Sequence, residues 1–122
     1  MTENKTVYIA SPYAGDIQTN IKFAKDACRY AINQGVAPIA VHLLYPQILD
    51  DSIPEERDAG IQMGLQVLKV CDELWICGER ISHGMQKEIE AANSFGISIK
   101  NIPSEIICCQ SQEFSSVQMR MV

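Results

Sequence analysis

The sequence predicts an α/β domain: a three-layer sandwich with a parallel sheet of four to five strands between two helical layers. Two observations predict it. Short apolar runs alternate along the chain with segments of helical periodicity, the order that places strands in one parallel sheet under crossover helices. In addition, 122 residues with 47% hydrophobic and 20% charged side chains suit one soluble domain large enough to bury a core.

The first strand is TVYIA at 6–10, stopped by Ser11-Pro12. After the loop SPYAGD, Asp16 suits the N-cap of a helix over 17–34. Ile17, Ile21, Ala24, Cys28 and Ala31 recur there at three- and four-residue steps, making one apolar stripe. Gly35 stands where a helix terminates in the left-handed conformation. A second strand reads as VAPIAV at 36–41, and Pro38 favours a sheet edge. HLLYPQILDDS is a connection with a helical turn before Pro46.

Ser52 and Glu55 have capping-box spacing, with Pro54 in the permitted first turn of a helix reaching Lys69. Its apolar residues Ile61, Leu65 and Leu68 point inward. Gly60 and Gly64 weaken it by up to ~1 kcal/mol each against alanine, and their shared face suggests close approach by a neighbour. ELWICG is the third strand. Ser82 caps a helix over 84–95 closed by Gly96, and ISI at 97–99 is the fourth strand. EIICC at 105–109 suits a fifth, while SQEFSSVQMRMV is open to a short helix, a dimer arm or a frayed end. The domain is therefore expected over 1–103, with a strand or tail at 104–122 available for oligomer contacts. Right-handed crossovers would make it a small Rossmann-like or flavodoxin-like sandwich.

Several function classes fall away. The net charge of −5 and the lack of a Lys/Arg cluster argue against nucleic-acid groove binding. No run is long and apolar enough for a membrane span, and MTENKTVYIA lacks a signal-peptide core. Five cysteines with no CxxC pattern point to reduced thiols in the cytoplasm and to no metal site. Without GxGxxG or a Walker lysine, neither a dinucleotide nor a P-loop site is expected.

Ligands of open α/β sheets bind beyond the carboxyl ends of the strands. Three segments belong there: SPYAGD, HLLYP and GERISHG. SPYAGD offers the Ser11 hydroxyl, Gly15 and amides entering a helix, an arrangement able to hold an anion but equally an ordinary capped loop. Ser82-His83-Gly84 repeats it, and here too an N-cap alone would explain the serine. Glu88 lies one turn on, inclined toward that helix end, whereas Glu90 points about 160° away at ~100° per residue. Most helix glutamates are solvated, so spacing leaves both roles open for Glu88. His42 and His83 are isolated and read as incidental. Asp50, Asp51, Glu55 and Glu56 read as an acidic loop and helix start, Tyr13 as a possible pocket edge and Trp75 as core.

The ordered set SPYAGD, R-D-x-G at 57–60, CDELWICG and SHGMxxEIxxA over residues 5–100 resembles the nucleoside 2-deoxyribosyltransferase-like superfamily. The resemblance is to its small DUF4406-type, nucleotide N-glycosidase-like bacterial and phage members. It implies that Glu88 attacks the anomeric carbon of a (deoxy)nucleoside 5′-monophosphate or related ribosyl nucleotide, forming an ester that water or an acceptor base resolves. It implies substrate contacts at Ser11, Pro12, Tyr13 and Gly15 and along Ser82, His83, Gly84 and Met85, with Ser82 and Gly84 on the 5′-phosphate. No cofactor, metal, nucleic-acid polymer or membrane is implied. The partners are a small nucleotide or nucleoside and further copies of the chain, as a homodimer or larger homo-oligomer. One position departs. Catalytic members carry an aspartate that orients the base and protonates it eight residues before the third-strand Asp72, and here that position is Gly64. A binder that sequesters a nucleotide or ADP-ribose-like signal is the alternative.

Overall fold

A computed structural model describes residues 5–108. The chain runs β1 (Thr6–Ala10), α1 (Ile17–Asn33), β2 (Ala37–Ile39), two short 3-10 turns (Val41–Leu43 and Tyr45–Gln47), α2 (Pro54–Lys69), β3 (Glu73–Cys77), α3 (His83–Phe95), β4 (Ser98–Ile102) and α4 (Ser104–Cys108). The four strands form one parallel sheet in the order β2-β1-β3-β4. The Rossmann-like α/β class expected from the alternation is the one observed.

Side chains of successive strand residues leave opposite faces, so the sheet feeds two cores. Tyr8, Ala10, Leu74 and Ile76 meet Leu68 of α2 and Met85 and Ala92 of α3. Val7, Ile9, Trp75 and Cys77 meet Ala27 and Ala31 of α1 and Ile107 of α4. Every residue of β3 is buried, as a strand covered on both faces requires. That includes Glu73, whose carboxylate accepts the Trp75 indole N–H at 2.9 Å and pairs with Lys5 at 2.9 Å and Lys100 at 3.6 Å. Burial alone would raise its pKa, but these partners outweigh it and hold the group below its ordinary range.

Asp16 caps α1 as expected, its carboxylate accepting the Thr19 N–H. Gly35 and Gly96 both have positive φ at their helix ends. Four details differ from expectation. β2 is only three residues long, because the chain turns into 3-10 structure at Val41. Ile17 is exposed, and the stripe of α1 begins at Ile21 with Asn20 buried beside it. Ser52 does not cap α2. Its hydroxyl and N–H both donate to the Asp50 carboxylate, so Ile53 becomes the N-cap without a side-chain bond. Ser104–Cys108 is helical where a strand was expected: the Glu79 carboxylate accepts the Ser104 N–H and hydroxyl, fixing a helix start that carries Ile107 into the core. The remainder of the expected strand and tail, 109–122, lies outside the described residues.

The chain leaves β1 for β2 on one side, then crosses back to β3 on the other. The carboxyl ends of β1 and β3 therefore flank the point where strand order reverses, the place where such sheets open a crevice.

Candidate functional site

A cavity of about 250 Å³ occupies that crevice, with walls from β1, the β1–α1 loop, the turns after β2, α2 and the start of α3. A shallower groove of about 520 Å³ adjoins it, bounded by Tyr13, Gly15, Asp50 and Glu56. The titratable cluster described next lies in the smaller, deeper space.

Helix α3 sets its geometry. The Ser82 hydroxyl accepts the Met85 N–H at 3.2 Å, and the Met85 sulfur accepts the Ser82 N–H at 3.4 Å. One turn beyond this cap Glu88 lies against the sheet, 8% exposed. Its Oε2 accepts a 2.6 Å hydrogen bond from the Tyr8 hydroxyl and stands 3.8 Å from His42 Nε2. Its Oε1 is buried and has no hydrogen-bond partner among the described residues. Desolvation pushes the Glu88 carboxyl up to about 7, against the opposing effect of the Tyr8 hydrogen bond. Burial and then the neighbouring Glu88 charge raise the Tyr8 phenol far above its usual range, so it stays a donor. Burial lowers His42, while Asp51 acts in the opposite sense. The His42 ring stacks on Tyr13, with centroids 5.8 Å apart.

Both α2 glycines serve close approach. A Cβ at Gly64 would stand 3.3 Å from the Tyr8 hydroxyl oxygen, and one at Gly60 would stand 3.3 Å from Leu49 Cδ1. The absent side chain at 64 thus makes room for the phenol that holds Glu88. The Asn20 amide donates to the carbonyls of Tyr13 and Ala14 at 2.9 Å each, and Arg80 donates to Asn20 at 3.4 Å. This ties the β1–α1 loop to the β3–α3 loop.

Of the residues singled out from sequence, Tyr13, Ser82, His83, Gly84 and Glu88 line the one cavity. Gly15 borders the adjoining groove instead. Ser11 and Pro12 are buried beneath the loop and line neither space; the Ser11 Oγ is unpartnered among the described residues. Met85 is the clear correction. It is 0% exposed and belongs to the core, because position 85 of the capped helix faces the sheet. Glu90 is exposed and takes a long contact from Gln86, as the helical angle predicted.

The sequence reading set His42 aside as incidental, named Arg57 only within a motif, and gave Tyr8 and Lys87 no place in a site, although all four line the cavity. Tyr8 alternates as a core residue, and only its pairing with a side-chain-free Gly64 could have revealed it. No cluster able to hold a metal ion occurs among the described residues, and none of their helices is long and apolar enough to cross a membrane.

Among solved structures, the fold is similar to a 2-deoxyribosyltransferase from the psychrotolerant bacterium Bacillus psychrosaccharolyticus. The TM-score is 0.67 at 15% identity, over 93% of this chain and 79% of that one. No curated protein matches. Where the motifs suggested a DUF4406-type domain, the family model that matches is a different one, over residues 5–102. By that match the chain belongs to the family described as a domain of unknown function, DUF7768.

Proposed function

We propose that this protein cleaves the N-glycosidic bond of a nucleoside 5′-monophosphate, or a closely related ribosyl nucleotide, with Glu88 as nucleophile. The observation that carries the reading is a buried carboxylate in the strand-end crevice, held by one phenol, its second oxygen unpartnered among the described residues. Such a group sits on a rigid helix, is desolvated, and needs little motion to meet an anomeric carbon at ~3 to 3.5 Å. Attack forms a glycosyl ester, the base departs, and water or an acceptor base resolves the ester with retention. The Tyr8 hydroxyl orients the carboxylate and favours its ionised, nucleophilic form.

The start of α3 supports a phosphorylated substrate. Ser82, His83 and Gly84, at a helix N-terminus of the kind that favours anions, line the cavity, and Gly84 has open space where a Cβ would stand. Arg57 and Lys87 add positive charge to the wall. The likeness in fold to a deoxyribosyltransferase agrees with this chemistry.

Incubation with ribo- and deoxynucleoside monophosphates, followed by chromatography of the freed base, tests the proposal. Release that Glu88→Ala abolishes supports it, and release that survives the substitution refutes it. Binding without release, unaffected by Glu88→Gln, would instead identify a sequestering protein, the reading that the missing acid at Gly64 favours.

A further inference from the structure

We propose that His42 is the proton shuttle of this site, giving a proton to the departing base and recovering one from the attacking water. The inference rests on the N-glycosidic cleavage proposed above and supplies the acid that reaction lacks. A purine or pyrimidine anion is a poor leaving group, so bond cleavage needs a donor beside the base. No carboxylic acid stands at Gly64, whose place is filled by the Tyr8 hydroxyl. That hydroxyl already donates to Glu88 and is held in its protonated form, so it cannot release a proton to the base.

His42 has the required position. Its Nε2 stands 3.8 Å from Glu88 Oε2, which sets donor and nucleophile side by side on the same cavity. Stacking on Tyr13 fixes the ring plane, and the 3-10 turn after β2 places its backbone at the cavity wall. Burial disfavours the imidazolium, and Arg57 and Lys87 on the same cavity oppose it too; the Asp51 charge and the Glu88 carboxylate 3.8 Å away act in the opposite sense. Closing the 3.8 Å gap between Oε2 and Nε2 to hydrogen-bond distance lets one proton pass from Glu88 to His42, leaving an ionised nucleophile beside a charged acid.

The steps balance. Glu88 forms an oxygen–carbon bond at C1′ as the carbon–nitrogen bond breaks, and its electron pair goes to the base, which takes the His42 proton. Water then adds at C1′ and gives a proton to the neutral imidazole, and the ester bond returns its pair to Glu88. Base and sugar leave with the elements of one water added, and both residues regain their starting forms.

The test is the dependence on leaving group. For wild type, His42→Gln and His42→Ala, base release in a single turnover, with enzyme in excess, is measured from adenosine or deoxyadenosine monophosphate and from nicotinamide mononucleotide, whose pyridine departs without a proton. Loss of a general acid should slow adenine release by ~10²-fold or more and nicotinamide release only a few-fold, with added imidazole restoring adenine release in His42→Ala. Equal slowing of both substrates, or none, overturns the shuttle. If wild type releases both bases, Glu88→Ala releases neither, and His42→Gln slows both alike, the shuttle alone falls. If wild type releases neither, the proposed cleavage falls and takes the shuttle with it.

Discussion

Replacing Glu88 by glutamine should stabilise this protein, and only above acidic pH. The carboxyl has an ordinary value of 4.5 and is pushed up to about 7 in the folded chain. Below pH 4.5 folded and unfolded chains both carry the proton, and the group contributes nothing to pH dependence. Between 4.5 and 7 the folded chain keeps a proton that the unfolded chain has lost, so stability falls as pH rises through that window. At about 1.36 kcal/mol per pK unit, the 4.5-to-7 gap costs the wild type about 3 kcal/mol by pH 8. Glutamine is neutral throughout and keeps an oxygen to accept the Tyr8 hydroxyl. Urea or thermal unfolding of both proteins at pH 4.5, 6, 7 and 8 checks the reasoning. The two should be alike at pH 4.5, and the variant should be ahead by about 3 kcal/mol at pH 8, roughly 10 °C in Tm for a chain of this size. A difference that stays constant with pH, or favours the wild type at pH 8, would refute the claim that Glu88 is ionised at the fold's expense.

Four further outcomes are expected. Tyr8→Phe removes the one hydrogen bond to Glu88 among the described residues. With such bonds worth ~1.5–3 kcal/mol to a charged group, the midpoint of the pH–rate profile for base release should rise by about one to two units. Gly64→Ala forces the Tyr8 hydroxyl away from a Cβ only 3.3 Å distant; release at pH 7 should drop several-fold while Tm barely changes, because alanine's helix preference of up to ~1 kcal/mol offsets the crowding. Ser82→Ala should cost about 1 kcal/mol of stability through loss of the cap. Ser82→Asp should keep the cap yet weaken nucleoside monophosphates relative to unphosphorylated nucleosides, measured by calorimetry.

Where periodicity and caps governed the chain locally, the sequence was sufficient. β1 and β3 fall on the expected apolar runs, and α1 and α3 lie within a residue of the expected ends because Asp16, Gly35, Ser82 and Gly96 punctuate them. Competition between polar groups was not legible. Asp50 captured the Ser52 hydroxyl from its capping role, and Glu79, distant in sequence, anchored Ser104–Cys108 as a helix. The cavity was half legible. Glu88 could be placed by its angle on α3, because one helix decides it. Tyr8 and His42 depend on contacts across 80 and 46 positions of chain, which no local pattern records. Met85 misled for a related reason: membership of a motif says nothing about which way a helix face is turned.

Tyr8 sits in the middle of β1, paired in register with Ile39 and Leu74, and not at the strand's end. The crevice therefore cuts down into the layer between sheet and helices, and Val41 and Leu65 serve both as packing for that layer and as wall for a ligand. A bound sugar or base would act as one more interior side chain. Shaving Val41 to alanine would then loosen the resting protein and widen its choice of guest in the same stroke. If the proposed ligand binds there, selectivity is inherited with the interior, and a lineage that changes its ligand has to repack its own middle.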